Sequence, residues 1–169
     1  MKHGLVALTG LALAGCSEAP SCPSADPFPL PPLTGRVVDN AGLLTPARLE
    51  KLSVALADTE RLTRHQFVVV TVPSLHGRSI EDVGLVLGNC WGIGRKDHDD
   101  GVLLIVAPTE RKVRIEVGYG LERTLTNSEA KAIIDQQILP NFRQRELAAG
   151  IFRGSAAIIR EIDDLGATP

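Results

Sequence analysis

Aromatic side chains are scarce in this 169-residue chain: four Phe, Trp91 and Tyr119 are all it has. Base-stacking platforms need more of them. A formal charge of −2, from 18 Lys and Arg against 20 Asp and Glu, supplies no basic footprint for nucleic acid. Cysteine is scarce as well, and Cys16, Cys22 and Cys90 are too few for a disulfide framework. No apolar run is long enough to cross a bilayer as a helix. Phosphate-binding Walker loops and Gly-x-Ser-x-Gly elbows are missing. The stretch Gly118-x-Gly120-x-x-Arg123 lacks the third glycine and the βαβ setting of a dinucleotide fingerprint, so no nucleotide cofactor is expected. His65, His76 and His98 are scattered, without paired zinc spacing. What remains is ordinary globular composition, 44% hydrophobic and 22% charged, on a length that suits one domain.

The first residues read as an address. Lys2 and His3 precede an apolar run from Leu5 to Ala14, the size of a signal-peptide core. Leu13-Ala14-Gly15-Cys16 then resembles a bacterial lipobox, which implies cleavage of residues 1–15 and lipid attachment to Cys16. Ser17, where an Asp would retain the protein at the inner membrane, suggests the outer membrane instead, with the domain facing the periplasm. Residues 16–34 carry six of the eleven prolines and read as a stiff, extended tether. Cys90 sits at an apolar helix end and is expected as a buried thiol; pairing with Cys22 stays open.

Periodic patterning begins at Gly35. Thr45-Pro46 predicts an N-cap and first helical residue, followed by Leu49, Leu52, Leu56 and Thr59 at helical spacing. Phe67–Val72 is a β-branched run that reads as a buried strand. Ser79 with Asp82 signals a second helix, whose inner face is Ile80, Val83, Val86, Leu87 and Cys90. Val102–Ala107 is another buried strand. Lys112–Gly118 alternates strictly, which predicts a half-exposed strand hairpinned to the one before. Thr126 with Glu129 opens a third helix, Pro140 interrupts it, and a last helix runs to about Leu165. The expected fold is a three-layer α/β/α sandwich around a mixed β-sheet, occupying residues 35–165.

Several stretches taken together resemble the TPM domain family, which includes thylakoid-lumen photosystem-repair proteins and many bacterial exported proteins. They are Gly35–Leu44, Trp91-Gly92-Ile93-Gly94, Asp100–Ala107, Arg114–Glu122 and Ile138–Arg143, in that order, and the likeness spans about residues 35–162. The resemblance implies an α/β/α fold, an extracytoplasmic setting and, for some members, divalent metal binding. Weak acid phosphatase activity is attributed to plant members. Many bacterial relatives continue into a transmembrane helix; here the lipobox would supply the anchor.

The densest acidic cluster is Asp97, Asp99 and Asp100, ahead of the strand at Gly101. Carboxylates on a loop can hold Ca²⁺ or Mg²⁺, and a solvated turn accounts for them equally simply. An EF-hand fails here: from Asp97, Gly101 falls at the fifth position and Pro108 at the twelfth. Ligands would therefore have to come from distant segments. Asp39, before the turn-like Asn40-Ala41-Gly42, is one candidate, and capping that turn suits it as well as ligation. Loops 92–100 and 118–125 bracket the hairpin's open end, which groups Asp99 and Asp100 with Glu122. The expected metal ligands are thus Asp39, Asp99, Asp100 and Glu122, with Ca²⁺ preferred to Mg²⁺. Tyr119 and Trp91 stand beside the acids, Trp91 suiting the core better. Arg111 and Arg114 could meet a phosphate but read as solvated.

Two functions follow. One is a membrane-tethered, divalent-metal-binding module that assists maintenance or assembly of an envelope protein client. The other is a metal-dependent hydrolase of phosphomonoesters, for which no catalytic residue stands out.

Overall fold

Four strands form one sheet in the order β1 (Val37–Asp39), β2 (Gln66–Thr71), β3 (Gly101–Ala107), β4 (Lys112–Val117). The computed structural model describes residues 29–163. The proposed signal peptide, Cys16 and Cys22 lie outside them. β1 and β2 run parallel, as do β2 and β3, and β4 returns antiparallel to β3, so the sheet is mixed as expected. Helix α1 (Pro46–Thr63) connects β1 to β2, and α2 (Ile80–Trp91) connects β2 to β3.

The caps act where the sequence placed them. Thr45 accepts from the Arg48 amide, Ser79 from the Asp82 amide, and Thr126 and Glu129 close a reciprocal box at α3 (Asn127–Ile133). β2 and β3 are buried on both sides, and alternation divides their side chains between two cores. Phe67, Val69, Val102 and Leu104 pack with α1, α3 and α5 (Leu147–Asp163). Val68, Val70, Leu103 and Ile105 pack with α2 through Val83 and Leu87. Helices therefore cover both faces, and the three-layer arrangement follows.

Three local expectations change. The polar side of β4 is open to water only in part: Lys112 is exposed, but α2 lies over the rest, and Arg114 and Glu116 keep 32% and 21% of their side-chain exposure. Gly84 makes this possible, since a Cβ there would come within 3.0 Å of Glu116 Oε2 and 2.9 Å of Ile105 Cδ1. The interruption expected at Pro140 falls just ahead of it and does not end the helix. A π-helical turn, Ile134–Ile138, carries α3 into α4 (Leu139–Arg143), and the side-chain amide of buried Asn141 donates to the Gln137 carbonyl. The widened turn tolerates a residue that lacks its own N–H. Finally, Leu30 and Pro31, expected within the tether, already touch the domain. Leu30 packs on the α2 core, and the Pro31 carbonyl accepts from Trp91 Nε1 at 3.2 Å. Trp91 is accordingly a core residue, and Cys90 is buried beside it.

Candidate functional site

Strand direction decides which candidate ligands can meet. Asp39 ends β1 and is level with Thr71 of β2, which pairs with Val106 near the far end of β3. Asp99 and Asp100 precede Gly101 at the opposite end. Five residues of strand, about 17 Å, separate the two levels. The structure thus does not bring Asp39 to the other three acids, and a site drawing on all four residues is not formed.

Asp39 has a different task. One carboxylate oxygen accepts from the Leu43 amide and the Thr71 hydroxyl, at 2.9 and 2.6 Å, and the other accepts from the Leu44 amide at 2.7 Å. It clamps the turn that leads into α1, the capping alternative weighed from the sequence. Asp39→Ala is expected to lower stability by about 2 kcal/mol, because two amides and a hydroxyl lose a charged acceptor. Urea unfolding measures this.

Asp100 is also spent internally. It is 3% exposed. Its carboxylate accepts from the Arg95 amide at 2.8 Å and from Arg95 Nε at 2.7 Å, and His65 Nδ1 lies 3.2 Å away. Burial pushes this carboxyl up, but the hydrogen bonds from Arg95 and His65, together with the Arg95 charge, outweigh it and bring the pKa to about 2. The cluster read as three solvated or ligating acids is therefore split: Asp97 and Asp99 are exposed, and Asp100 is a buried anchor for the loop.

Loops 92–100 and 118–122 do converge. The Gly120 amide donates to the Asp99 carbonyl at 3.1 Å and the Gly118 amide to the Gly101 carbonyl at 2.8 Å. Contact is so close that a Cβ on Gly118 would stand 2.0 Å from the Asp99 oxygen, and one on Gly120 1.9 Å from the His98 oxygen. Between these loops and α2 lies a recess of about 340 Å³, lined by Leu85, Asn89, Asp99, Glu116, Tyr119 and Glu122 among others. Asp99 and Glu122 are exposed. Glu116 is paired with Arg114, whose Nη1 also lies 3.8 Å from Glu81 Oε1. Tyr119 is 82% exposed and Leu85 54%, so the recess has an apolar rim beside its acids.

Sequence reasoning had Asp99, Glu122 and Tyr119 here but missed Asn89 and Leu85, which α2 supplies. A signal was available, since both lie off the apolar face of that helix. The recess offers carboxylate and amide oxygens, the donors hard cations take. Its lining holds no Ser, Thr, Cys or His that could serve as nucleophile or base.

A family model described as the TPM domain matches residues 37–161. Among solved structures, the N-terminal domain of a protein from P. gingivalis is 35% identical. Its TM-score is 0.73, with 78% of this chain and 84% of that one covered. The N-terminal domain of a Corynebacterium glutamicum protein is 18% identical at a TM-score of 0.57, covering 86% of each chain. A protein from the psychrophile Bizionia argentinensis is 17% identical at 0.61, covering 70% of this chain and 81% of the other. The last two show likeness of fold. No curated protein matches the chain.

Proposed function

Because the chain belongs to the TPM domain family, we propose that it is an exported, non-catalytic binding module whose recess beside Tyr119 takes a divalent cation, Ca²⁺ in preference to Mg²⁺. It would be tethered to the envelope by lipid on Cys16, facing the periplasm from the outer membrane, and would assist maintenance or assembly of an envelope protein. The observation that carries this reading is the recess itself. Exposed carboxylates of Asp99 and Glu122 stand beside a largely solvent-facing tyrosine, on two loops locked together by backbone hydrogen bonds.

The donor set fits a hydrated ion better than a closed cage. Asp39 and Asp100 are committed elsewhere, and Glu116 answers Arg114. Asp99 and Glu122 would hold the ion, with Asn89 within the same lining and water filling the remaining positions. Ca²⁺ tolerates such irregular, flexible coordination more readily than Mg²⁺, and few-ligand sites of this kind bind at roughly 0.1–1 mM.

Calorimetric titration of the full chain with CaCl₂ is expected to give an affinity in that range and, at several millimolar Ca²⁺, a raised melting temperature. Asp99→Asn with Glu122→Gln removes both effects. Asp39→Asn leaves the affinity unchanged, since that residue lies at the other end of the sheet. A melting temperature indifferent to Ca²⁺ overturns the reading. Hydrolysis of a phosphomonoester that disappears in the Asp99/Glu122 variant replaces it with the hydrolase.

A further inference from the structure

At the end of the sheet opposite the acidic recess lies a cavity of about 840 Å³. It has no use in the function proposed above. Its charged lining is of one sign: Arg111 from the β3–β4 turn, Lys112 from the start of β4, Arg143 at the end of α4 and Arg145 just beyond it. None of the four side chains has a hydrogen-bond or ion-pair partner among the described residues. Neither nearby acid, Glu110 or Glu146, lines the cavity. Glu110 accepts from the Ser74 hydroxyl and the Leu75 amide. Glu146 lines a neighbouring surface groove with Arg48, and Arg145 borders both that groove and the cavity. All four residues are exposed, so water screens much of their mutual repulsion, and an anion would relieve the remainder.

The rest of the lining is apolar, with Leu139 and Phe142 of α4 foremost. The π-helical turn leads directly into Leu139, and Ile138–Arg143 is a stretch of the family resemblance that lies outside the acidic recess. Arg111 and Arg145 both stand in the left-handed region, at φ 55° and 63°. Such a residue is more strained than glycine there, so at two positions a cation occupies a place where glycine would fit more easily.

We propose that this cavity is a binding site for an organic anion with a doubly charged oxyanion head and an attached apolar group. Guanidinium groups bind the head through paired N–H donors, and Lys112 adds a point charge. The apolar group lies on Leu139 and Phe142. The lining contains no Ser, Thr, Cys, His, Asp or Glu, so the site holds its ligand and does not react with it. A cavity of this size exceeds what a bare phosphate fills and suits a larger organic molecule. The same head could come from a free ester or from a lipid in a bilayer.

The test uses the full chain and phenyl phosphate at pH 8, where the ester is a dianion, with amide shifts in the NMR spectrum as readout. Saturable binding is expected, with shifts centred on residues 107–112 and 139–147. Inorganic phosphate should bind about tenfold more weakly for want of the ring. The double variant Arg111→Gly with Arg145→Gly relaxes both left-handed positions, so its melting temperature should hold while its affinity falls by about tenfold or more. Sedimentation with phosphatidylcholine vesicles, with and without phosphatidic acid, separates the sources. Acid-dependent sedimentation lost in the variant supports a lipid-borne head. Phenyl phosphate binding without sedimentation supports a free ester. No saturable phenyl phosphate binding and no acid-dependent sedimentation, or binding that survives the double substitution, overturns the proposal.

Discussion

Gly120→Ala is expected to cost about 3 kcal/mol of stability and to lower the melting temperature by roughly 10 °C. A Cβ built there lies 1.9 Å from the His98 carbonyl oxygen and 3.3 Å from the Asp99 carbonyl carbon. Those are backbone atoms, which cannot swing aside as the tip of a flexible side chain would. The 92–100 loop must move as a unit, and the Gly120 amide then loses the Asp99 carbonyl. The methyl itself is small; the effect comes from where two loops cross. Gly35→Ala is the control. Nothing lies within 4 Å of that position, and its change should stay within about 0.5 kcal/mol. Thermal unfolding of the two variants side by side decides the matter. Equal melting temperatures would show that the loops are not locked as described.

Asp100→Asn should remove about 2 kcal/mol at neutral pH, and the loss should vanish in acid. The folded carboxyl titrates at about 2 against an ordinary value of 3.8. A depressed pKa means the folded state favours the charged form, so the contribution is complete above about pH 4. It declines as the pH falls from 4 through 2 and is gone below that. The difference between wild type and Asp100→Asn in urea unfolding should therefore shrink across this window. Arg95 keeps 42% of its side-chain exposure and can return to water when its partner is neutralised, which holds the cost below that of a fully buried pair. Asp99→Asn, one residue earlier and exposed, should change neither the stability nor its pH dependence.

That contrast between neighbours shows where sequence reading stops. β2 and β3 were legible because both faces are buried, and β-branched runs announce that. α1, α2 and α3 were legible because their caps are local chemistry. Asp99 and Asp100 are the same residue type in the same loop, yet one faces water and the other an arginine. Only the path of the loop assigns those roles. The polar side of β4 looked solvent-facing because its pattern cannot register a helix laid across Gly84. The π-helical turn was invisible too, since a few apolar residues do not distinguish helix pitches. Asp39 is different, because its separation from the other acids could have been inferred. Two βαβ crossovers make β1 and β3 parallel, so the end of one and the start of the other lie at opposite ends of the sheet. Four cations from two segments more than thirty residues apart carried no such cue.

The bond from the Trp91 indole to the Pro31 carbonyl ties the incoming chain to the end of α2, one residue ahead of the loop that borders the acidic recess. Tension applied through the N-terminal segment would thus load this stitch before it strained the short first strand. The loop that borders the recess sits next to this fastening point, so a pull on the N-terminal segment would reach it first.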